Sequence, residues 1–297
     1  MSTTAELLET NTCSPSKQTN QLPYNTITIM KHGQLIMGPA GCGKSTFSAR
    51  IEEHVHAKNR NILVVNLDPA AENFNYKVAI DIRDLISVED AMEEMELGPN
   101  GALVFCMEYL ANNLEWLKDR LDEFGEESYF LFDCPGQIEL YSHVSVMPRL
   151  CENLQQWGFR ICGVYLMDAM FLTDASKFIS ATVASMCCML QLQLPHVNVI
   201  TKCDLATNLD AVDKYLNPGS NLLGDLNEHT PPQFRALNSA LCSLLDDFAM
   251  VSFCTLDPTD EDSAENVLAQ IEGAIQFGED KEPKMPDDLM GDPGDLA

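Results

Sequence analysis

Short hydrophobic runs alternate along this chain with longer segments in which apolar residues recur at helical spacing. Runs of strand length lie at 34–37, 61–67, 129–132, 161–167, 197–200 and 250–253. The helical spacing predicts helices over 46–56, 139–156, 174–192, 232–248 and 264–277. Strands alternating with helices indicate an α/β fold, with a mostly parallel sheet covered by helices on both faces. Several strands end at a polar residue, and such sheets bind ligands at the carboxyl ends of their strands.

The pattern also divides the chain into a folded region and two flanks. Residues 1–29 are polar and aperiodic, which predicts a disordered N-terminal extension. One domain is expected over residues 30–278, with an insertion at about 81–113 that is rich in acid and Met and is interpreted as helices plus a loop. Over residues 279–297, acidic residues and prolines predict a flexible acidic tail.

Composition and charge narrow the classes of function. The formal net charge of −27 repels phosphate backbones, which argues against direct nucleic-acid binding as the main role. The 11 cysteines form no CxxC pair, which indicates buried reduced thiols in the cytoplasm and no zinc site. No apolar run reaches the ~18 residues that span a bilayer, and no secretory signal is evident. A cytoplasmic protein without a membrane segment is expected.

A glycine-rich loop at residues 38–45 is the first chemical motif, with the sequence Gly-Pro-Ala-Gly-Cys-Gly-Lys-Ser. It follows a strand and opens a helix, which is the context of a phosphate-binding P-loop. Lys44 is expected to reach the β- and γ-phosphate oxygens, and the Ser45 hydroxyl to ligate Mg²⁺. The expected nucleotide-binding residues in this region are Gly41, Cys42, Gly43, Lys44, Ser45 and Thr46.

Acidic residues follow two other strands and are the candidates for catalysis. Asp133 begins an Asp-Cys-Pro-Gly-Gln motif and is expected to hold Mg²⁺. Gly136 lets the backbone approach a γ-phosphate, and Gln137 could orient the attacking water. Asp68 ends the strand after the P-loop helix and begins an Asp-Pro-Ala-Ala-Glu segment. It is expected to contact a Mg²⁺-bound water or the catalytic water.

The tetrapeptide Thr201-Lys202-Cys203-Asp204 predicts the base that is bound. A carboxylate such as Asp204 accepts two hydrogen bonds from guanine N1–H and its exocyclic amine, whereas adenine presents an acceptor there. The stem of Lys202 is expected to pack over the base. Thr201 stands where Asn is commoner in this motif. The predicted ligands are therefore GTP and GDP, with Mg²⁺.

The segment Gly98-Pro99-Asn100 is by itself predicted to be a turn. No arginine finger is evident near the motifs, since Arg83 is expected to face solvent among acids. Groups that stabilise the developing charge contribute ~10³–10⁵ in rate to such hydrolysis. A charge-stabilising group must therefore be supplied by the same chain or by another chain.

Together these motifs resemble those of the GPN-loop GTPases, over about residues 32–282. The resemblance is carried by the runs 38–41, 66–70, 98–101 and 133–140, and the runs 105–109 and 276–280 are most similar to one branch of the family. It implies a dimeric GTPase in which Gly98, Pro99 and Asn100 enter the partner's nucleotide site and Asn100 stabilises the released phosphate. It further implies a dimer with itself or with the GPN-loop GTPase 1 paralogue. The implied role is assembly and nuclear import of RNA polymerase II, and of III, with shuttling between cytoplasm and nucleus.

Three other functions stay open at this point. A partitioning-type dimeric P-loop ATPase would carry a second lysine early in the loop, where this chain has Pro39. A nucleoside kinase would need an arginine-rich lid, but Arg83 is the single arginine of the insertion. A scaffold could bind nucleotide to fold and dimerise with little hydrolysis, although Asp133 and Gln137 favour hydrolysis.

Overall fold

A computed structural model describes residues 30–125, 128–205, 220–247 and 253–279. The predicted N-terminal extension, residues 250–252 of the last predicted strand and the acidic tail from residue 280 lie outside these described residues.

A seven-stranded parallel sheet forms the centre of the fold, in the order β3-β2-β4-β1-β5-β6-β7. The strands are β1 (Lys31–Met37), β2 (Ile62–Asn66), β3 (Val78–Asp81), β4 (Tyr129–Asp133), β5 (Phe159–Asp168), β6 (His196–Thr201) and β7 (Phe253–Thr255). In β1, Ile36 is in register with Asp133 of β4 and Val164 of β5. The predicted α/β class and parallel sheet are confirmed.

Helices cover both faces of the sheet. They are α1 (Lys44–Ala57), α2 (Val88–Met95), α3 (Pro99–Asn112), α4 (Leu114–Asp122), α5 (Glu139–Ser142), α6 (Val146–Gln156), α7 (Ala175–Leu192), α8 (Ser220–His229), α9 (Arg235–Asp247) and α10 (Glu261–Ala274). Successive strand residues point to opposite faces. Accordingly Leu35 packs in a core with α3 and α6, while Ile36 packs in a second core with α1 and α10. Central strands buried on both faces explain the uninterrupted hydrophobic runs of the sequence.

The structure differs from the predicted elements in several places. The strand β3 was not predicted because its four residues at the sheet edge carry too short a pattern. The predicted helix over 139–156 is divided into α5 and α6. Pro148 lies in the first turn of α6 and has no N–H for the carbonyl of Val144, so a continuous helix would lose that bond. The helices α4 and α8 also escaped prediction.

The helix α7 is more apolar than was expected from the sequence. By length and composition α7 could cross a membrane, with 18 residues and a mean hydropathy of 1.3, so the expectation that no segment reaches this length was wrong. Half of it is buried, with Phe178 and Cys188 fully enclosed. It packs against α5, α6, α8 and β5, as the core helix of an α/β fold does.

Candidate functional site

The glycine-rich loop connects β1 to α1 at the carboxyl edge of the sheet. Gly43 precedes α1 with φ 95°, a left-handed conformation that favours glycine, and it caps the helix without a side-chain hydrogen bond. The first N–H groups of a helix lack intrahelical acceptors and attract anions. Lys44 is 9% exposed, and its Nζ donates to the carbonyl oxygens of Gly38 and Pro39, each at 3.3 Å. The loop therefore has the form of a phosphate cradle.

The segment after β4 lies directly against this loop. A Cβ atom added to Gly136 would lie 2.9 Å from Ala40 Cα and 3.0 Å from Lys44 Nζ. Such distances leave no room for a side chain. Glycine at this position therefore lets the residues that follow Asp133 approach the place where a terminal phosphate would bind.

Asp133 ends β4 with its carboxylate almost enclosed, at 3% exposure. Its Oδ2 accepts hydrogen bonds from Ser45 Oγ at 3.0 Å and from the Tyr76 hydroxyl at 2.6 Å. Burial raises the pKa of Asp133, while these hydrogen bonds and the charge of Lys44 oppose the rise. The paired hydroxyl and carboxylate oxygens fit the preference of Mg²⁺ for hard oxygen ligands.

Asp68 follows β2 on the same edge of the sheet. Its Oδ1 accepts a hydrogen bond from the backbone N–H of Ala70 at 3.0 Å. Asn66 holds its backbone by accepting from the Asp68 N–H at 3.0 Å and donating to the Asp68 carbonyl at 3.1 Å. Burial raises the pKa of Asp68, against the opposing effects of the Ala70 bond and of Lys44. The site thus contains two partly desolvated carboxyl groups.

Arg83 is exposed and lies beside acidic residues, as the sequence had suggested, but it also makes specific contacts. Its guanidinium donates to both carboxylate oxygens of Asp81 and, at 2.9 Å, to the carbonyl of Ala71. It also lies 4.7 Å from the centre of the Phe74 ring. Asp81 in turn accepts from Asn66 at 2.8 Å. Arg83 therefore fastens the segment between β2 and β3, which carries Asp68.

Gly98, Pro99 and Asn100 form a helix start, so the predicted local turn was wrong. Gly98 is the N-cap of α3, and Pro99 is its first residue. Proline suits this position because its missing N–H would have no intrahelical acceptor and its φ is already helical. Asn100 is exposed, and its Oδ1 accepts a hydrogen bond from Gln137 Nε2 of the same chain at 2.8 Å. The structure therefore brings Asn100 to the motif that follows β4.

The base motif follows β6 and is fastened to the P-loop. Thr201 Oγ1 donates to the carbonyl of Cys42 at 2.7 Å. Lys202 has φ 59°, and its Nζ donates to the Gly41 carbonyl at 2.6 Å and to Asp168 Oδ2 at 2.7 Å. Asp204 lies exposed in a short 3-10 helix over Cys203–Leu205. The phosphate loop and the base motif are thus parts of one site.

Two residues that support this site, Asn66 and Tyr76, were not predicted from the sequence. Asn66 ends a buried strand, so its polarity at a strand end was a usable signal. Tyr76 lies outside any motif and reaches Asp133 only through the fold. Among the described residues, no group of three or more His, Cys, Asp or Glu could hold a metal ion. A Mg²⁺ bound mainly by phosphates and water needs only one or two protein ligands.

Comparison with known proteins reveals relatives over most of the chain. A family model described as "Conserved hypothetical ATP binding protein" matches residues 36–277. A GPN-loop GTPase 3 from Mycosarcoma maydis is 46% identical over 280 residues, which cover 90% of this chain and 99% of that protein. A GPN-loop GTPase 3 from Danio rerio is 48% identical over 269 residues, which cover 89% and 94%.

A solved structure shares the fold at lower sequence identity. It is a GTPase from Pyrococcus abyssi in its apo form, with a TM-score of 0.69 and 24% identity, covering 83% of this chain and 98% of that one. The fold agrees with the sequence relationship, and the resemblance inferred from the motifs is confirmed. The chain belongs to the GPN-loop GTPase family.

Proposed function

We propose that this protein binds GTP with Mg²⁺ at the carboxyl edge of its sheet and hydrolyses the terminal phosphoanhydride bond. The observation that carries the proposal is the contact between the P-loop and the segment that follows β4. The backbone at Gly136 lies against Ala40 and Lys44, so the motif after β4 adjoins the cradle of the P-loop. A γ-phosphate bound by that cradle would lie next to Gln137.

The roles proposed for the individual residues follow from their placement. Lys44 and the N–H groups at the start of α1 bind the phosphates. Ser45 and Asp133 would hold Mg²⁺, which when bound neutralises charge on the phosphate oxygens. Gln137 orients the attacking water, and Asp68 is placed to accept a hydrogen bond from water at the same edge. Gly41, Cys42, Gly43 and Thr46 complete the phosphate cradle.

The identity of the base rests on the motif after β6. The matching family model is described as ATP-binding, whereas the curated relatives are named GTPases. We expect Asp204 to select guanine through its N1–H and exocyclic amine, with Thr201 and Lys202 fixing the motif to the P-loop. Calorimetric titration of the full chain with GTP and with ATP tests this. Micromolar binding of ATP without binding of GTP would contradict it.

A variant with a changed preference for the base makes that experiment more specific. An amide at position 204 would donate a hydrogen bond where the carboxylate accepts one, so Asp204→Asn should weaken GTP binding. The same change should strengthen binding of xanthosine triphosphate, which carries a carbonyl oxygen in place of the exocyclic amine. Loss of affinity for both nucleotides would instead indicate damage to the fold of the motif.

A scaffold that binds nucleotide with little hydrolysis is the alternative at the same site. The variant Gln137→Leu should leave GTP binding intact and slow turnover, because leucine cannot hydrogen-bond to water. Equal turnover in the variant would assign the positioning of water to another group, such as Asp68. Absence of turnover in the unaltered protein would favour the scaffold.

The proposal also includes the partners of this protein and its role in the cell. Gly98, Pro99 and Asn100 are exposed beside the site, which supports their entry into the nucleotide site of a second subunit. The second subunit would be another copy of this chain or the GPN-loop GTPase 1 paralogue, and the clients would be RNA polymerase II subunits. A cytoplasmic protein that shuttles to the nucleus would suit this role. Light scattering with and without a non-hydrolysable GTP analogue tests dimerisation, and mass spectrometry of co-purified proteins tests the clients.

A further inference from the structure

Tyr76 contacts the candidate magnesium site from a segment to which no motif assigns a role. It lies between β2 and β3, on the segment that begins at Asp68, and it is 8% exposed. Its ring lies 5.3 Å from that of Phe74 and packs in the core beneath α1. Its hydroxyl donates to Asp133 Oδ2 at 2.6 Å. The phenol is thus held on one side by the core and on the other by a carboxylate.

Two hydroxyl groups converge on a single carboxylate oxygen at this point. Asp133 Oδ2 accepts from Tyr76 at 2.6 Å and from Ser45 at 3.0 Å. Donors from two different segments fix the rotation of the carboxylate, which would otherwise turn broadly about its last torsion. Of these donors, Ser45 is itself a proposed metal ligand. The Tyr76 bond is therefore the one that can hold Asp133 while Ser45 exchanges its partner for a metal ion.

We propose that Tyr76 is a positioning residue for the magnesium site, which orients the Asp133 carboxylate and couples it to the segment that carries Asp68. The inference rests on the proposed function of Asp133. Partners that orient a metal ligand through hydrogen bonds typically contribute 10- to 100-fold to metal affinity. Because Tyr76 and Asp68 belong to the same segment, loss of the bond would also loosen a second acid of the site.

A purely structural role would be the ordinary one for a buried tyrosine, because its hydroxyl needs a partner. Tyr129 illustrates this role and provides a matched control. It is 3% exposed, its hydroxyl accepts from Gln34 Nε2 at 2.8 Å, and it lies at the opposite end of β4 from Asp133. Phenylalanine at either position keeps the ring and removes only the hydroxyl. Any difference between the two variants therefore isolates the contact with Asp133.

The test compares Tyr76→Phe and Tyr129→Phe in the full chain. Unfolding temperature in excess GDP is measured against Mg²⁺ concentration, and GDP affinity is measured separately in a chelator. Tyr76→Phe should raise the Mg²⁺ concentration for half-maximal stabilisation about tenfold and leave metal-free GDP affinity unchanged. Tyr129→Phe should change neither quantity. If Tyr76→Phe has the Mg²⁺ dependence of the unaltered protein, the inference is overturned.

Two further variants separate positioning from general loosening. In an Asp133→Ala background, which removes both acceptor oxygens, Tyr76→Phe should have no additional effect on Mg²⁺ dependence, and an additive effect would overturn the inference. Phe74→Leu removes the neighbouring ring but keeps the hydroxyl, so it should lower stability without shifting the Mg²⁺ midpoint. An equal shift from Phe74→Leu would assign the effect to packing. A lack of Mg²⁺ dependence in the unaltered protein would instead contradict the proposed function.

Discussion

At the scale of single residues, the site depends on the absence of a side chain at Gly136. A methyl group there would lie within 3.0 Å of Ala40 Cα, and a backbone atom cannot avoid the contact by changing a side-chain torsion. We expect Gly136→Ala to displace the P-loop or the motif after β4, and so to reduce GTP affinity and turnover by more than tenfold. Titration and a phosphate-release assay measure both effects.

Gly224 provides the control for this substitution. It lies within α8, and nothing would contact an added Cβ atom within 4 Å. Alanine favours a helix over glycine by ~1 kcal/mol, so Gly224→Ala should leave turnover unchanged and slightly raise the free energy of unfolding. A Gly136→Ala variant with normal turnover would show that the two segments need not be in contact.

A partly buried histidine makes stability depend on pH. His196 accompanies Ser185 and Asn198 in a polar cluster between α7 and β6. Burial lowers its pKa from 6.5 to about 4, against the raising effect of Asn198. The folded state therefore favours the neutral ring. Its contribution to the free energy of unfolding is complete above pH 6.5 and is lost as the pH falls from 6.5 towards 4.

The variant His196→Gln tests this pH dependence. Between pH 6.5 and 5, the unaltered protein should lose more unfolding free energy than the variant, by about 2 kcal/mol at most. Denaturant unfolding at several pH values measures the difference. His143→Gln, at an exposed position, is the control. Parallel pH profiles of the unaltered protein and His196→Gln would contradict the assignment.

The motif residues could be predicted from sequence because each motif is contiguous and follows a hydrophobic strand. The supporting contacts could not, since they join residues far apart in the chain. Tyr76 and Asp133 are 57 positions apart, and Gln137 and Asn100 are 37. Only the sheet order, with β4 between β2 and β1, brings Tyr76 to Asp133.

At the scale of elements, the same short signals predict different structures. Gly-Pro is a turn signal, but it is also a helix start, as it is here at α3. The apolar spacing from residue 139 to 156 continues across the break between α5 and α6, so only Pro148 indicated the interruption. Long buried strands were predicted well because a strand buried on both faces has an uninterrupted hydrophobic run.

The segment between β2 and β3 is the element whose order should most affect catalysis. Arg83 fastens it through Asp81 and the Ala71 carbonyl. We expect Arg83→Ala to slow turnover about tenfold with little change in GTP affinity, because Asp68 is displaced while the P-loop is unaffected. Arg83→Lys should not restore turnover, since lysine cannot bond both carboxylate oxygens in a planar fork.

Arg120→Ala is the matched control for Arg83→Ala. Arg120 forms an exposed pair with Glu123, at 3.3 Å beside α4, and such pairs contribute little. Turnover should be unchanged in this variant. If Arg83→Ala also has normal turnover, Asp68 is held in place without the guanidinium or takes no part in hydrolysis.

At the scale of the whole molecule, the candidate phosphate, magnesium and base motifs lie together at the carboxyl edge of the sheet, while Gly98, Pro99 and Asn100 are exposed. Within one chain, Asn100 bonds Gln137 at 2.8 Å. A hydrogen bond between such exposed amides is worth only about 1 kcal/mol, so it can be exchanged for contacts with a second subunit. The site of one chain could thus be completed by the asparagine of another.

Mixing two inactive variants distinguishes completion by a second chain from completion within one chain. Asn100→Ala keeps the P-loop but lacks the asparagine, whereas Lys44→Ala keeps the asparagine but lacks the phosphate lysine. If Asn100 acts in the partner's site, the mixture should recover turnover in the Asn100→Ala subunit, up to about a quarter of the unaltered rate when equal amounts associate at random. If it acts only beside its own Gln137, the mixed dimer should stay inactive. Light scattering and differential tags confirm that the two variants associate, so an inactive mixed dimer would exclude the second-subunit role and assign Asn100 to its own chain.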